Sequence, residues 1–374
     1  MVVARDRIRV AFDAHVVGRQ ATGNERYAVD LATALAARPD VELLAYVDGG
    51  TVWPVAAPGL RLRTLRSKRP QLRIAVELPW RARHDRADLL HVQYVPPPLT
   101  GMPAVTAIHD LSFEDLPEAF PTVRRTRLRA TVRLAARRSA VLLVLSDFTR
   151  QRLIDRYGVD SQRIRVVAPG VAPAWSAPIS GETSTALAGL GLPASFVLAV
   201  GGLHPRKNIG RLVHAVADAR NAGAGDLGLV LAGANGWRST EVDDAVTAVR
   251  GAGWVHRLGH VDDALLAALY RVATVVAYLS LYEGFGLPVV EALASGAVVV
   301  ASSTTSIPEA AGGAAVLVDP TDIDAIAEAL GRAASDAGLR VRLAAAGPER
   351  AARLTWAASA AATVEAYRLA LGTQ

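Results

Sequence analysis

The sequence predicts an α/β protein made of two doubly wound, Rossmann-like domains with parallel sheets. Three observations predict this fold class. The chain has 374 residues, which exceeds one ordinary hydrophobic core and suits two domains. Near-continuous Val, Ile and Leu runs alternate with helical segments, as in parallel strands that are covered on both faces. The alternation stops at a stretch rich in Pro, Ser, Thr and Gly and then starts again at residue 195.

The first half contains the elements of one such domain. Each predicted strand is a short apolar run, and several of these runs end in polar residues. A glycine-containing loop joins the first strand to the first helix. The predicted strands are 8–14, 41–47, 89–93, 104–110, 141–146 and 163–170, and the predicted helices are 25–37, 122–138 and 147–158.

The second half repeats the pattern. Its first strand runs into a glycine turn that precedes a helix at 209–220. We expect an N-terminal domain over 1–175, a linker at 176–189 and a C-terminal domain over 190–354. The C-terminal helix, within 355–374, could return to the first domain, and the sequence leaves this open. The predicted strands are 195–202, 227–233, 254–259, 275–280, 297–302 and 314–319.

Composition excludes several classes of protein. The chain has no cysteine, which rules out disulfides, thiolate metal sites and cysteine nucleophiles. The first residues lack the apolar segment and cleavage site of a signal peptide, and no run of eighteen apolar residues predicts a membrane span. The expected location is the cytoplasm, and the arginine-rich segments allow a peripheral position at the inner face of a membrane.

Two segments of the first half are rich in arginine, within a net charge of +6. A solvated helix surface is one explanation, and a surface for an anionic partner is the other. The partner classes are phospholipid headgroups, a phosphorylated acceptor and nucleic acid, of which nucleic acid ranks last because neither segment has aromatic residues for base stacking. The first segment holds Arg61, Arg63, Arg66, Lys68, Arg69 and Arg73, and the second holds Arg124, Arg125, Arg127, Arg129, Arg133, Arg137 and Arg138.

Residues 282–296 carry the most informative motif, which follows a predicted strand. Gly284 and Gly286 allow the backbone to approach a ligand closely. Pro288 suits a first helical turn, and Gly296 suits the stop of a helix. The pattern predicts a strand, a glycine loop and a short helix whose free N–H groups point at the loop, as in an anion site.

Two carboxylates belong to this motif. Taken alone, Glu283 is explained as a surface loop residue and Glu291 as a residue that stabilises the helix dipole. However, Glu291 is flanked by Val290 and Ala292, and a carboxylate is costly to bury unless it is hydrogen-bonded. Together, the two carboxylates at one helix mouth favour a site that accepts hydrogen bonds from a polyol.

The run from Glu283 to Glu291 resembles the E-x7-E signature of the family-four retaining glycosyltransferases. These enzymes have the GT-B fold, in which two Rossmann-like domains face each other across a cleft. Further segments resemble the family in the expected order over nearly the whole chain. They are TAIHDLSFEDLPEAF, VLSDFTRQRL, RVVAPGV, VGGLHPRKNIGRLVHAVA, EGFGLPVVEALASG and SIPEAAGGAAVLVDP.

The resemblance implies a donor site in the second domain. Arg206 and Lys207 would hold the donor diphosphate, and their position after a strand and before a helix agrees with where open α/β sheets bind ligands. Glu283 would bind hydroxyls of the donor sugar, and Glu291 those of the ribose. The implied donor-binding set is Gly23, Gly202, Arg206, Lys207, Glu283, Gly284, Phe285, Gly286, Leu287 and Glu291.

The first domain would supply two further residues. His109 follows a predicted strand and, by resemblance, contacts the transferred sugar near its anomeric centre. A lone histidine beside Asp110 would otherwise be explained as a capping residue. Gly23 resembles the N-terminal glycine loop of the family, but the loop reads TGNERY where many relatives have a second glycine. The implied catalytic residues are His109, Arg206, Lys207 and Glu283.

The implied reaction transfers a hexose-type sugar from a nucleoside diphosphate sugar to an acceptor hydroxyl with retention of the anomeric configuration. The donor is a co-substrate, and no cofactor is expected. GDP-mannose, UDP-linked hexoses and dTDP-deoxysugars remain open as donors, and a glycan, a lipid-linked sugar or a small molecule as acceptor. The family picture is a same-face substitution in which positioning and electrostatics do most of the work.

We expect no metal. Asp322 and Asp324 form a D-x-D pattern, but they open a predicted helix and helix capping explains them. The histidines do not have the spacing of a metal site. Those considered are His204, His214, His256 and His260.

Three alternative functions remain. A phosphorolytic enzyme or a nucleotide-sugar epimerase would keep the architecture and change the chemistry. An oxidoreductase is disfavoured because Gly201 and Gly202 are not followed by the G-x-G-x-x-G spacing. A sugar-nucleotide-binding or lipid-surface protein without activity is disfavoured because four residues of the implied site are present together: His109, Arg206, Lys207 and Glu283.

Overall fold

The computed structural model describes most of the chain as two compact units. Unit 1 consists of Met1–Gly170 and Thr355–Gln374, and unit 2 of Val171–Leu354. Lys68, from the first arginine-rich segment, lies outside the described residues. The described residues are 7–19, 22–67, 69–98, 100–234, 240–250 and 253–373.

The strands of the described residues fall into one sheet per unit. In unit 1 they are β1 (Ile8–Asp13), β2 (Val41–Asp48), β3 (Arg61–Leu65), β4 (Leu89–Gln93), β5 (Ala104–Ile108), β6 (Val141–Val144) and β7 (Ile164–Val166). In unit 2 they are β8 (Ser195–Val200), β9 (Leu227–Ala232), β10 (Val255–Gly259), β11 (Val275–Tyr278), β12 (Val299–Ser302) and β13 (Val316–Val318).

Helices connect these strands. The α-helices of the described residues are α1 (Thr22–Ala36), α2 (Pro70–Leu72), α3 (Leu78–His84), α4 (Ser112–Asp115), α5 (Thr122–Arg138), α6 (Asp147–Tyr157), α7 (Gly181–Gly189), α8 (Ile209–Asn221), α9 (Thr240–Ala248), α10 (Asp263–Val272), α11 (Leu287–Ala294), α12 (Ile307–Ala311), α13 (Ile323–Ser335), α14 (Ala337–Ala352) and α15 (Trp356–Leu371). A π-helical turn (Arg73–Glu77) joins α2 to α3, and short 3-10 helices cover Pro117–Ala119, Ser161–Arg163, Pro173–Ser176 and Pro205–Lys207.

Both sheets are parallel and doubly wound. The strands of unit 1 pair in the order β3-β2-β1-β4-β5-β6-β7, and those of unit 2 in the order β10-β9-β8-β11-β12-β13. In each sheet the order reverses beside the first strand, and such a reversal opens a crevice at the carboxyl ends of the two strands that flank it. The two doubly wound parallel sheets confirm the predicted fold class.

The central strands of each sheet are mostly apolar and are buried on both faces. In β4, Leu90 and Val92 pack with Leu78 and Ala82 of α3, whereas His91 points to the opposite face and its Nδ1 lies 2.7 Å from the Tyr367 hydroxyl of α15. The C-terminal helix therefore covers unit 1 on the face opposite to α3.

The second sheet is covered in the same way. Val197 and Ala199 of β8 pack on one face with α8 and α13, and Phe196 and Leu198 pack on the other face with α10 and α11. Alternate residues of one strand thus serve two hydrophobic cores, which is why the strand reads as a continuous apolar run.

Neither the strand β3 nor the helical segment 70–84 was predicted. The strand β3 is an edge strand whose sequence is RLRTL, so its charged and exposed residues hid it within an arginine-rich segment. The helical segment 70–84 contains Pro70 and Pro79, which lie at the starts of α2 and α3 where proline is tolerated.

Two predicted boundaries differ from the structure. The helix α1 begins at Thr22, so Gly23 lies in its first turn and not in a loop. The segment 176–189, predicted as a linker, lies within unit 2 and carries α7. Ser180 caps α7 by accepting a hydrogen bond from the Thr183 N–H, and Leu187 packs on the core of the unit together with α10.

The helices were also compared with the requirements for crossing a membrane. Among the described residues, no helix combines the length and the apolar composition that crossing a membrane requires.

Candidate active site

The predicted donor residues of unit 2 lie after β8 and β11, the two strands that flank the reversal of strand order. After β8, the backbone turns at Gly201 and forms the 3-10 helix Pro205–Lys207, which presents Arg206 and Lys207. After β11, the chain continues through Glu283 to Gly286, the N-cap of α11. Two loops that are distant in sequence thus meet at the crevice of the second sheet.

A buried ion pair joins these two loops. The Nζ atom of Lys207 lies 2.7 Å from Oε1 of Glu283, and each side chain is only 11% exposed. The same ammonium group donates a hydrogen bond of 2.6 Å to the hydroxyl of Tyr278, the last residue of β11. Lys207 is therefore held by two oxygen atoms in a pocket with little access to water.

The charges around Glu283 set its protonation state. Burial alone would raise the pKa of its carboxyl, but Lys207 and Arg206 outweigh burial and lower the pKa to about 2. Glu283 is consequently ionised at every physiological pH. Burial and the Glu283 charge raise the pKa of Tyr278 well above its usual value, so its hydroxyl stays protonated.

His204 lies beside the same cations. Burial, together with the positive charges of Arg206 and Lys207, lowers the pKa of His204 to about 4. The imidazole is therefore neutral near pH 7. Three nitrogen side chains meet here, but only Arg206 and Lys207 carry charge for an anionic ligand.

Glycines occupy two crowded positions in these loops. Gly201 has a φ of 122°, and a Cβ at this position would lie 3.1 Å from Cε of Lys207. Gly286 has a φ of 103°, and a Cβ there would lie 2.7 Å from Cδ1 of Ile307. Both positions favour glycine because of their backbone conformation, and Gly286 also because of the lack of space.

The backbone of Glu283 is anchored on both sides. Its N–H donates to Oγ1 of Thr305 at 3.3 Å, and its carbonyl oxygen accepts a hydrogen bond of 2.9 Å from Oγ of Ser306. These residues lie just before α12. The loop that carries the carboxylate is therefore fixed by the neighbouring loop.

The helix α11 has the form that the motif predicts. Gly286 is its N-cap, Pro288 lies in its first turn, and Gly296 follows its end with a φ of 76°. Glu291 lies in the second turn and is 2% exposed. Gly284 and Phe285 lie between Glu283 and this N-cap.

In unit 1, His109 directly follows β5 and is buried. Its Nε2 lies 3.1 Å from Oε1 of Gln93, the last residue of β4, and its ring contacts the ring of Tyr27 edge-on at 4.6 Å. Burial lowers the pKa of His109 to about 4, so the imidazole is neutral. Tyr27 belongs to α1, whose first turn contains Gly23.

Sequence reasoning missed four residues of this arrangement. Tyr278 and Gln93 end strands next to those that carry predicted residues, a position that could have identified them. Thr305 and Ser306 act through the neighbouring loop, and no sequence spacing identifies them.

The Asp322 carboxylate caps α13 by accepting a hydrogen bond from the Ala325 N–H at 3.0 Å, as predicted.

No cluster of three or more His, Asp or Glu side chains that could hold a metal ion occurs in the described ranges of the chain.

Comparisons with known proteins agree with this architecture. The chain matches the family Glycosyltransferase Family 4 over residues 21–175 and the family Glycosyl transferases group 1 over residues 189–350. It is 28% identical to the O-antigen chain mannosyltransferase B of Escherichia coli over 97% of this chain and 100% of that protein. It is 31% identical to the D-inositol 3-phosphate glycosyltransferase of Kineococcus radiotolerans over 94% and 91% of the two chains.

Solved structures share the fold. A sucrose-phosphate synthase from Thermosynechococcus elongatus superposes with a TM-score of 0.78 at 23% identity, over 98% of this chain and 100% of that chain. The Anabaena protein HepE, in complex with UDP and glucose, superposes with a TM-score of 0.75 at 19% identity, over 96% and 99%. With both halves matched and a 31% identical relative aligned over nearly its full length, the chain belongs to the family-four glycosyltransferases of the GT-B fold.

Proposed function

We propose that this glycosyltransferase moves a hexose-type sugar from a nucleoside diphosphate sugar to an acceptor hydroxyl, with retention of the anomeric configuration and without a metal ion. The observation that carries the proposal is the buried Lys207–Glu283 pair at the crevice of the second sheet. In our proposal, the ammonium group of this pair binds the diphosphate and its ionised carboxylate binds sugar hydroxyls.

The cations receive the diphosphate. Arg206 and Lys207 lie on a short 3-10 helix at the carboxyl end of β8, where phosphates bind in open α/β sheets. The free N–H groups of Phe285, Gly286 and Leu287 add hydrogen-bond donors and the positive end of a helix dipole. As the bond to the sugar breaks, this positive environment stabilises the charge that develops on the leaving diphosphate.

The carboxylates receive the hydroxyl groups. Glu283, ionised because of Lys207 and Arg206, accepts hydrogen bonds from the transferred sugar. Glu291 is buried within α11 and takes the ribose hydroxyls. Hydroxyl groups of the donor would add hydrogen bonds to both carboxylates, which burial shields from water.

The reaction needs no enzymic nucleophile. The bond between the anomeric carbon and the phosphate oxygen breaks, and the acceptor oxygen bonds to the same face of the anomeric carbon. The acceptor proton passes to the leaving phosphate oxygen, so charge and protons balance. We assign His109 to the transferred sugar, where its neutral imidazole, paired with Gln93, serves as a hydrogen-bonding group and not as a charge.

The base of the donor nucleotide can be identified by measuring which nucleotides stabilise the protein. The HepE complex contains UDP and glucose, and the Escherichia coli relative is named a mannosyltransferase, so UDP- and GDP-linked hexoses come first. Thermal stabilisation is measured with both series and EDTA present, because a ligand at a hundred times its dissociation constant adds about 2.7 kcal/mol to stability. Stabilisation by one base supports the proposal, and stabilisation only by NAD(P) or inorganic phosphate would support an oxidoreductase or a phosphorolytic enzyme instead.

Retention is tested on the product. NMR of the transferred sugar reports the anomeric configuration of donor and product. An α-linked donor should yield an α-linked product in EDTA at the rate seen with Mg²⁺. Inversion would contradict the proposed substitution, and loss of activity in EDTA would contradict metal independence.

The acceptor is proposed to be anionic or held at a membrane. Arg129 of α5 pairs with Glu114, but the other six arginines of this helix have no ion-pair partner in the part of the chain that the structure describes. Flotation with vesicles containing anionic lipid tests this, and binding that does not depend on vesicle charge would contradict it. The six are Arg124, Arg125, Arg127, Arg133, Arg137 and Arg138.

A further inference from the structure

Unit 1 exposes an apolar strip on the helical segment 70–84. Leu72, Val76 and Trp80 follow each other at intervals of four residues, about one helical turn, so they lie on one side of the segment. Their exposed fractions are 50%, 59% and 62%. Large apolar side chains exposed in a row, unlike single ones, indicate a surface that binds something.

The opposite side of the segment already has its partners. Leu78 and Ala82 pack into the core of unit 1, and Arg73 is buried with its guanidinium 3.2 Å from the Asp48 carboxylate. The side of the segment that faces the core is thus apolar, as packing requires, and the exposed side is also apolar along the strip. Packing within the unit does not explain the outer side.

Cations border the strip. Arg69 precedes the segment and Arg83 lies in its last turn, and both are exposed without an ion pair to another described residue. The segment has one acidic residue, Glu77, whose carboxylate accepts hydrogen bonds from the Arg66 and Ser67 N–H groups and from Arg81. The negative charge of Glu77 is therefore neutralised by its own neighbours, and Arg69 and Arg83 leave a net positive charge beside the strip.

The helix α5 lies on the same face of the sheet. Ala104 of β5 packs in the core that contains α3, and Ile108 of the same strand packs in the core that contains α5. These residues are four apart in one strand and so point to one face. The unpaired arginines of α5, with Val123 83% exposed in its first turn, therefore lie on the same side of unit 1 as the apolar strip.

We propose that the strip Leu72–Val76–Trp80 inserts into the interface of an anionic membrane, while the arginines of α5 contact its headgroups. This inference rests on the proposed membrane-held acceptor and adds the element that enters the lipid. An apolar face with a tryptophan and a basic border is the pattern of a helix that lies in a bilayer interface. A second copy of the chain is a poorer occupant, because two such faces would bring their arginines together.

The test uses the full chain and vesicles of phosphatidylcholine with or without phosphatidylglycerol, at low and high salt. Wild type should float with anionic vesicles and keep a salt-resistant fraction, since burial of apolar groups is not screened. Val76→Ser/Trp80→Ser should lower the partition coefficient at high salt about tenfold or more. The matched control is Val341→Ser in unit 2, which removes a 71% exposed valine from another surface and should change nothing.

A fluorescence experiment locates the strip directly. Trp80→Phe keeps an apolar ring, so it should bind vesicles like wild type, but the blue shift of tryptophan emission on binding should be lost. Equal binding of wild type and Val76→Ser/Trp80→Ser at every salt concentration would overturn the proposal. A wild-type dimer without vesicles that dissociates in this variant would overturn it in favour of a second copy.

The outcome is separable from the proposed function. The strip lies in unit 1, whereas the proposed donor residues Arg206, Lys207 and Glu283 lie in unit 2. The double variant should keep wild-type stabilisation by the donor nucleotide. If the double variant loses vesicle insertion but still binds the nucleotide, the result concerns the strip alone. If wild type binds vesicles but no nucleotide, the result counts against the proposed function alone.

Discussion

Lys207 and Glu283 form an ion pair with an Nζ–Oε1 distance of 2.7 Å although 76 residues separate them in sequence. The pair holds together the loops after β8 and β11. Because both side chains are buried, neither charge has enough water to stabilise it alone. The pair is thus a structural link in this chain and, by our proposal, part of the donor site.

Replacement of Glu283 by Gln should remove transfer activity. The amide has nearly the volume of the carboxylate but loses its negative charge, so sugar hydroxyls lose a strong acceptor and Lys207 loses its partner. We expect kcat/KM to fall by roughly a hundredfold or more, in the range of a lost charged contact in a transition state. Steady-state kinetics measures it.

The control for this variant is Glu182→Gln on the exposed surface of α7. It makes the same chemical change away from the site and should keep wild-type kinetics. A folded Glu283→Gln protein with full activity would remove Glu283 from the proposed site.

A double-mutant cycle should separate the structural part of the pair from the functional part. Lys207→Met and Glu283→Gln each leave one buried polar partner behind, and each should lower the free energy of unfolding by about 3 kcal/mol. The double variant leaves no unpaired charge, so its loss should be smaller than the sum by about 1–2 kcal/mol. Urea unfolding of the four proteins measures the cycle, and additive losses would show that the two residues are not coupled.

Stability should fall as the pH drops from about 6.5 to about 4. Burial lowers the pKa of His109 to about 4 in the folded state, whereas an unfolded histidine titrates near 6.5. Between these values the unfolded chain binds the proton and the folded chain does not, so acid favours unfolding. The free energy of unfolding against pH should have a smaller slope in this window for His109→Asn than for wild type.

His260→Gln provides the matched comparison for this pH experiment, because His260 is exposed in unit 2. Its profile should follow that of wild type. If His109→Asn kept the wild-type slope, the imidazole would be titrating freely in the folded protein.

Two glycines should respond differently to alanine. Gly286→Ala places a Cβ 2.7 Å from Ile307 at a φ of 103°, which should destabilise unit 2 by roughly 1–3 kcal/mol. Gly23→Ala adds a methyl group in the first turn of α1, where nothing lies within 4 Å, and should raise stability by about 0.5–1 kcal/mol.

Activity then tests the assignment of Gly23. If its backbone approaches the donor as proposed, Gly23→Ala should lower kcat/KM while the melting temperature stays the same or rises. A stable variant with wild-type kinetics would show that the α1 N-terminus is not close to the substrates.

Much of the fold is predictable because parallel strands buried on both faces are continuous apolar runs. The runs at Val141–Val144 and Leu227–Ala232 are recognisable without any partner. The strand β3 is not, because an edge strand carries charged, exposed residues that resemble a loop.

The sequence by itself determined the two doubly wound units, the start and stop of α11 through Gly286 and Gly296, and the identity of the charged residues after the strands. These are local properties, set by side-chain periodicity and by backbone conformations that only certain residues adopt. Only the tertiary structure decided that Tyr278 binds Lys207, that Gln93 pairs with His109, and that Trp80 faces outward. Those relationships join residues from different strands and helices, so they depend on how the crossovers bring the elements together, and no spacing along the chain encodes them.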